Sequence, residues 1–132
     1  MKPLVLVLLA ATTLIGCSEG DCEGGDLLYD QTLIFEGFDE HVGQLFELRS
    51  IWHDTVDTVL LPAIPAPEFT MTVVAGCGAN HIDFYADFND NGDYDPPPTD
   101  HAWRITVHAR EGANKDVLIQ HDTDYVDIKW PI

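Results

Sequence analysis

His81-Ile82-Asp83-Phe84-Tyr85-Ala86-Asp87-Phe88 alternates without a break: Ile82, Phe84, Ala86 and Phe88 are apolar, while His81, Asp83, Tyr85 and Asp87 carry polar atoms. A period of two sends successive side chains to opposite faces, the signature of a strand with one buried face. The rhythm continues outward from this stretch. In 68–74, Phe69, Met71 and Val73 alternate with Thr70 and Thr72; in 101–109, Trp103, Ile105 and Val107 alternate with Arg104, Thr106 and His108. In 44–53, Phe46, Leu48 and Trp52 share one face, with Glu47 and Arg49 on the other. Residues 29–36, with Tyr29, Thr32, Ile34 and Phe35, read as a first strand. Thr55 to Leu61 reads as another, stopped by Pro62, Pro65 and Pro67, which have no backbone donor for a ladder. Val117-Leu118-Ile119 and Tyr125 to Trp130 complete the series. Seven or eight short strands with turn residues between them, and no sustained helical period, predict an all-β chain. The expected fold is a single antiparallel β-sandwich over 27–132, immunoglobulin-like in architecture.

The first residues have a different composition. Met1-Lys2 gives a small positive start, Leu4 to Ile15 an apolar run, and Leu14-Ile15-Gly16-Cys17 a close of small residues before a cysteine. This order of parts is that of a secretory signal. The run of about a dozen residues is shorter than the roughly 20 needed to span a bilayer. The ending resembles the lipobox of bacterial lipoproteins. That resemblance implies a signal peptide over 1–16, cleavage before Cys17, lipid on the Cys17 thiol and acylation of the new amino group. Residues 17–26, small and acidic, then read as a tether. Ser18 after the cysteine resembles the outer-membrane sorting outcome of enteric lipoproteins. The expected location is the bacterial cell envelope, with the membrane as a partner through Cys17. With Cys17 lipidated, Cys22 and Cys77 remain; an oxidising compartment favours their disulfide, two free thiols being the alternative.

The chain carries a formal charge of −17, and loss of Lys2 with the signal makes it −18. No basic stripe exists to meet phosphates, which argues against a nucleic-acid partner. Such a balance suits a protein that binds cations.

Asp87-Phe88-Asn89-Asp90-Asn91-Gly92-Asp93-Tyr94-Asp95 places oxygen-bearing side chains at its first, third and fifth positions, glycine at the sixth and aspartate at the ninth. Ca²⁺ takes six to eight oxygens, and a glycine at the sixth position permits the turn that brings later ligands back. Asp87, Asn89, Asn91 and Asp95 are the candidate side-chain ligands, with the Asp93 carbonyl. The stretch resembles the Asp-x-Asn-x-Asn-Gly-x-x-Asp calcium loops of EF-hands, dockerins, thrombospondin type 3 repeats and integrin-type propellers. It departs from the EF-hand at position 12, where Pro98 replaces a bidentate glutamate. The expectation is a structural Ca²⁺ in a strand–loop–strand setting, with a dissociation constant of roughly 10⁻⁴–10⁻³ M, as in extracellular modules. A solvated turn is the alternative.

Six histidines, His41, His53, His81, His101, His108 and His121, lie far apart and form no His-x-x-x-His pair. Scattered surface residues are one reading; a Zn or Cu site built from His41, His101 and a carboxylate is the other. No Gly-x-Ser-x-Gly elbow and no phosphate-cradling glycine loop occurs, so a non-enzymatic binding or accessory module is expected. A carbohydrate or small-ligand site would need Tyr85, Tyr94 and Trp103 exposed together. A protein or glycan partner is left open.

Overall fold

The alternating segments fold into two packed sheets in a computed structural model that describes Cys22, residues 27–109 and residues 115–131. The signal 1–16, Cys17 and the tether other than Cys22 lie outside the described residues. The strands are β1 (Leu28–Glu36), β2 (Phe46–Trp52), β3 (Thr55–Leu61), β4 (Phe69–Gly76), β5 (Gly78–Ala86), β6 (His101–Ala109) and β7 (Val117–Gln120). One sheet has the order β4-β1-β7 and the other β3-β2-β5-β6. All pairs are antiparallel except β1 with β7, which run parallel with Phe35 opposite Ile119. A parallel pair needs a crossover rather than a hairpin, so β7 arrives from the far side of the sandwich.

Alternation decides what is buried between the sheets. Leu33 and Phe35 from β1, Phe69, Met71 and Val73 from β4, and Ile119 from β7 meet Phe46, Leu48, Ile82, Phe84, Trp103 and Val107. Phe35 is the hub: it stacks on Phe69 at 4.7 Å and takes Phe46 and Phe84 edge-on at 5.2 and 5.3 Å. These offset and T-shaped arrangements satisfy the ring quadrupoles. Phe38, in the β1–β2 connection, closes one end of the core.

Two expectations are corrected. Phe88 does not continue the inward row; β5 stops at Ala86 and Phe88 is 49% exposed. Tyr125 to Trp130 is not an eighth strand but a strap across the outer face of the four-stranded sheet. It bonds β6 through Val126 N–H to the Ala102 carbonyl, then turns away, with Lys129 in the left-handed region at φ 50°. The strap buries side chains whose alternation marked them as outward: Arg49, Asp83 and Tyr85 are at most 3% exposed. Beneath it Asp83 accepts from Arg49 at 2.8 Å and from Arg104 at 2.6 Å. Arg49 also donates to the Ile128 carbonyl at 2.6 Å and lies 4.4 Å over the Trp130 ring.

The other end carries the disulfide. Cys22 and Cys77 are bonded, with Cα atoms 5.7 Å apart. The β4–β5 turn that holds Cys77 is shaped by Gly78, at φ 100°, and by Asn80, whose side chain accepts from Gly76 N–H and donates to the Gly76 carbonyl. Gly76 lies under the Trp52 indole, and a Cβ there would overlap the ring. Gly76→Ala is therefore expected to destabilise the fold by about 1–3 kcal/mol through overpacking. Chemical denaturation checks this, and a change below about 0.5 kcal/mol would contradict the contact.

Candidate metal centre

Three strand ends meet at the Phe38 end of the core. The β1–β2 connection makes a short 3-10 turn, Asp39–His41, which presents Glu40 and His41. His101 opens β6. His121 follows β7 directly, its N–H donating to the Glu36 carbonyl and so prolonging the β1–β7 ladder. Residues from both sheets and their connection thus converge.

The donor atoms face one another. His41 Nε2 lies 3.2 Å from His121 Nε2 and 3.3 Å from His101 Nδ1. Glu40 Oε1 lies 3.0 Å from His121 Nε2 and 3.5 Å from His41 Nε2. Glu40, His41, His101 and His121 offer four ligand atoms, all within 4.8 Å of one another.

Hydrogen bonding fixes the proton on His41. Its Nδ1 lies 2.8 Å from Gln44 Oε1, while Gln44 Nε2 donates to the Glu40 carbonyl. The Gln44 oxygen only accepts, so His41 carries its proton on Nδ1 and turns the Nε2 lone pair inward. Burial lowers the His41 pKa; Gln44 and Glu40 pull it up, His101 and His121 push it down, and the net shift is downward. His101 is also lowered, first by burial. Both therefore stand as neutral imidazoles near pH 7, the form a metal needs. One lone pair on His41 cannot accept well from two neighbouring rings, whereas a cation would satisfy every inward nitrogen.

The rings are packed from behind. His121 lies on Phe38 and Trp103 at 5.1 and 5.6 Å. His101 is sandwiched between Phe88 at 4.7 Å and Tyr125 at 3.9 Å, both near parallel. Phe88, the residue displaced from the core pattern, thus covers the centre instead.

The 87–95 loop adjoins this centre. Asp87 and Asp100 are buried, at 1% and 0% exposure, and each caps backbone amides. Asp87 accepts from Asn91 N–H and Gly92 N–H; Asp100 accepts from Phe88 N–H and Asp95 N–H and so ties the loop's two ends together. Burial raises the Asp100 pKa, neighbouring Asp87 adds to the rise, and the backbone donors oppose it. Asn89 and Asn91 both donate from their side-chain amides to Asp95 Oδ2, at 2.8 and 2.6 Å, and Asn91 Oδ1 accepts from Asp93 N–H. Gly92 has φ 84°, as the turn requires. Asn89, Asn91 and Asp95 are brought together at the surface, while Asp87 faces the interior of the loop.

Of the two histidines singled out by sequence, the structure joins His41 and His101. It adds His121, which no spacing marks because it is 80 residues from His41, and supplies as the carboxylate Glu40, the residue directly before His41. His81 instead approaches Thr106 on the sheet surface. Tyr85 and Trp103 are buried on opposite faces of the four-stranded sheet, and Tyr94 packs with Tyr85, so these three rings form no exposed platform. Compared with known proteins, the chain matches no family model, no curated protein and no solved structure.

Proposed function

We propose that this chain is an exported envelope protein, anchored through lipid on Cys17, whose β-sandwich binds one first-row divalent metal ion at Glu40, His41, His101 and His121. The observation that carries the reading is the spacing of the donors. Bonds of about 2.0–2.1 Å to a tetrahedral Zn²⁺ put ligand atoms about 3.3 Å apart. Four of the six donor pairs here lie 3.0–3.5 Å apart, and all six lie within 4.8 Å, so His101 would close in as the ion binds. Three imidazoles and a carboxylate suit Zn²⁺ by ligand type, and Cu²⁺, which favours a square or tetragonal set, is the alternative. The strongly acidic chain adds a field that attracts cations. The role is binding rather than catalysis.

Co²⁺ serves as the probe. Titration of the full chain is expected to give the intense visible bands of tetrahedral Co²⁺, saturating at one equivalent and displaced by Zn²⁺. His121→Ala abolishes the bands and His81→Ala leaves them. Equal spectra from both variants would refute the assignment.

A second ion, Ca²⁺ in the 87–95 loop, is favoured by one observation: Asp87 and Asp100 are both buried without a basic partner among the described residues. Binding would need the Asn89 and Asn91 amides turned to present oxygen. Calorimetry at millimolar Ca²⁺ is expected to show heat that Asp87→Ala/Asp95→Ala removes. No heat in the parent chain would reduce the loop to an amide-capped turn.

A further inference from the structure

The four donors divide into a fixed set and a free arm. His41 is fully buried and tethered by Gln44; His101 is gripped between two rings; the His121 side chain is 14% exposed and lies on Phe38 and Trp103. The Glu40 side chain is 47% exposed and sits on a three-residue turn. The Phe35-centred core and the Cys22–Cys77 disulfide are built from other residues, and the centre touches that core only at its Phe38–Trp103 edge. With Glu40 bound the ligand shell is closed, and it opens only where that exposed carboxylate lets go. The site is preformed on three sides and faces solvent on the fourth.

Resting on the metal reading above, we infer that the ion is exchangeable cargo and that Glu40 is the ligand that opens to pass it. Exchange is a substitution: a donor atom of the acceptor bonds to the ion as the bond to Glu40 Oε1 breaks. The ion keeps its +2 charge, the carboxylate leaves as an anion into water, and no electron is transferred. Tyr125 is the positioning residue for this arm. Its ring stacks on His101 at 3.9 Å and its hydroxyl neighbours the Glu40 carboxylate. Tyr125→Phe keeps the stacked ring and deletes only the hydroxyl beside Glu40.

The full chain loaded with Zn²⁺ is mixed with the chromogenic chelator 4-(2-pyridylazo)resorcinol, and release is followed alongside the circular dichroism of the sandwich. The expected result is complete release with the β spectrum unchanged. Tyr125→Phe speeds release about tenfold, the usual scale for losing an outer partner of a ligand, and Glu40→Gln speeds it at least as much. Release that occurs only as the β spectrum collapses, or rates unchanged in both variants, would overturn the exchange role while leaving metal binding intact. A chain that carries no Zn²⁺ to release, before chelator is added, would overturn both.

Discussion

One equivalent of Zn²⁺ is expected to raise the melting temperature of the full chain by about 10–20 °C, and His121→Ala to abolish the rise. An ion that binds only the folded state, at a hundred times its dissociation constant, adds about 2.7 kcal/mol. For a domain of roughly 100 residues each kcal/mol moves the midpoint by about 4–8 °C. The gain arises by mass action, so it is compatible with a metal-free sandwich that stays folded. His121 is the residue to change because it comes from the three-stranded sheet, while His101 comes from the other. Its loss leaves two imidazoles and a carboxylate on an exposed turn, one donor short and with no ligand from the three-stranded sheet, so at one equivalent the ion is no longer held. Differential scanning calorimetry with and without chelator reads the effect directly. Identical shifts in parent and variant would place the ion elsewhere.

The second large effect is at Asp83. Its carboxylate is fully buried and serves two guanidinium groups. Removing it strands Arg49, itself 3% exposed, without a counter-charge. Breaking one side of such a buried pair costs about 3–5 kcal/mol. Asp83→Ala is therefore expected to lower the melting temperature by about 12–40 °C. The pH dependence has a definite sign. Burial pushes the Asp83 pKa up, but Arg104 and Arg49 outweigh it and hold the carboxyl below its ordinary 3.8. A carboxyl depressed in the folded state contributes stability that is fully present above the unfolded value and lost as pH falls through the folded one. The parent should lose this increment below pH 3.8, and Asp83→Ala should show a flatter acid limb. A loss under 1 kcal/mol at pH 7 would mean that the strap relaxes to let water reach Arg49.

The difference between what the pattern announces and what the chain builds is a difference of range. Period two in 68–74, 81–86 and 101–109 reflects local geometry, and those strands form where the alternation places them. Asp83 looks like a solvent-facing partner of Phe84 because alternation reports which face a side chain takes. It does not report what later covers that face. Here the strap does, and its Trp130 and Ile128 resemble a strand's apolar row only because they pack on one. Phe88 follows the rhythm for one residue too many, since Asp87 already caps the amides of the next turn. The candidate metal ligands are the extreme case. His41 and His101 are 60 residues apart, and His121 joins them through the parallel docking of β7 on β1, a crossover that no local period encodes.

The disulfide and the histidines occupy opposite ends of β1. Leu28 pairs with Gly76, beside Cys77, while Glu36 receives His121. A strand of nine residues at about 3.3 Å each separates them by about 25–30 Å. Under the proposed anchoring through Cys17, five residues before Cys22, the lipid pulls on the disulfide pole. The candidate metal pole would then be the end of the domain farther from the anchor. A partner reaching for the ion would approach from the aqueous side, and the disulfide would set the height at which they meet.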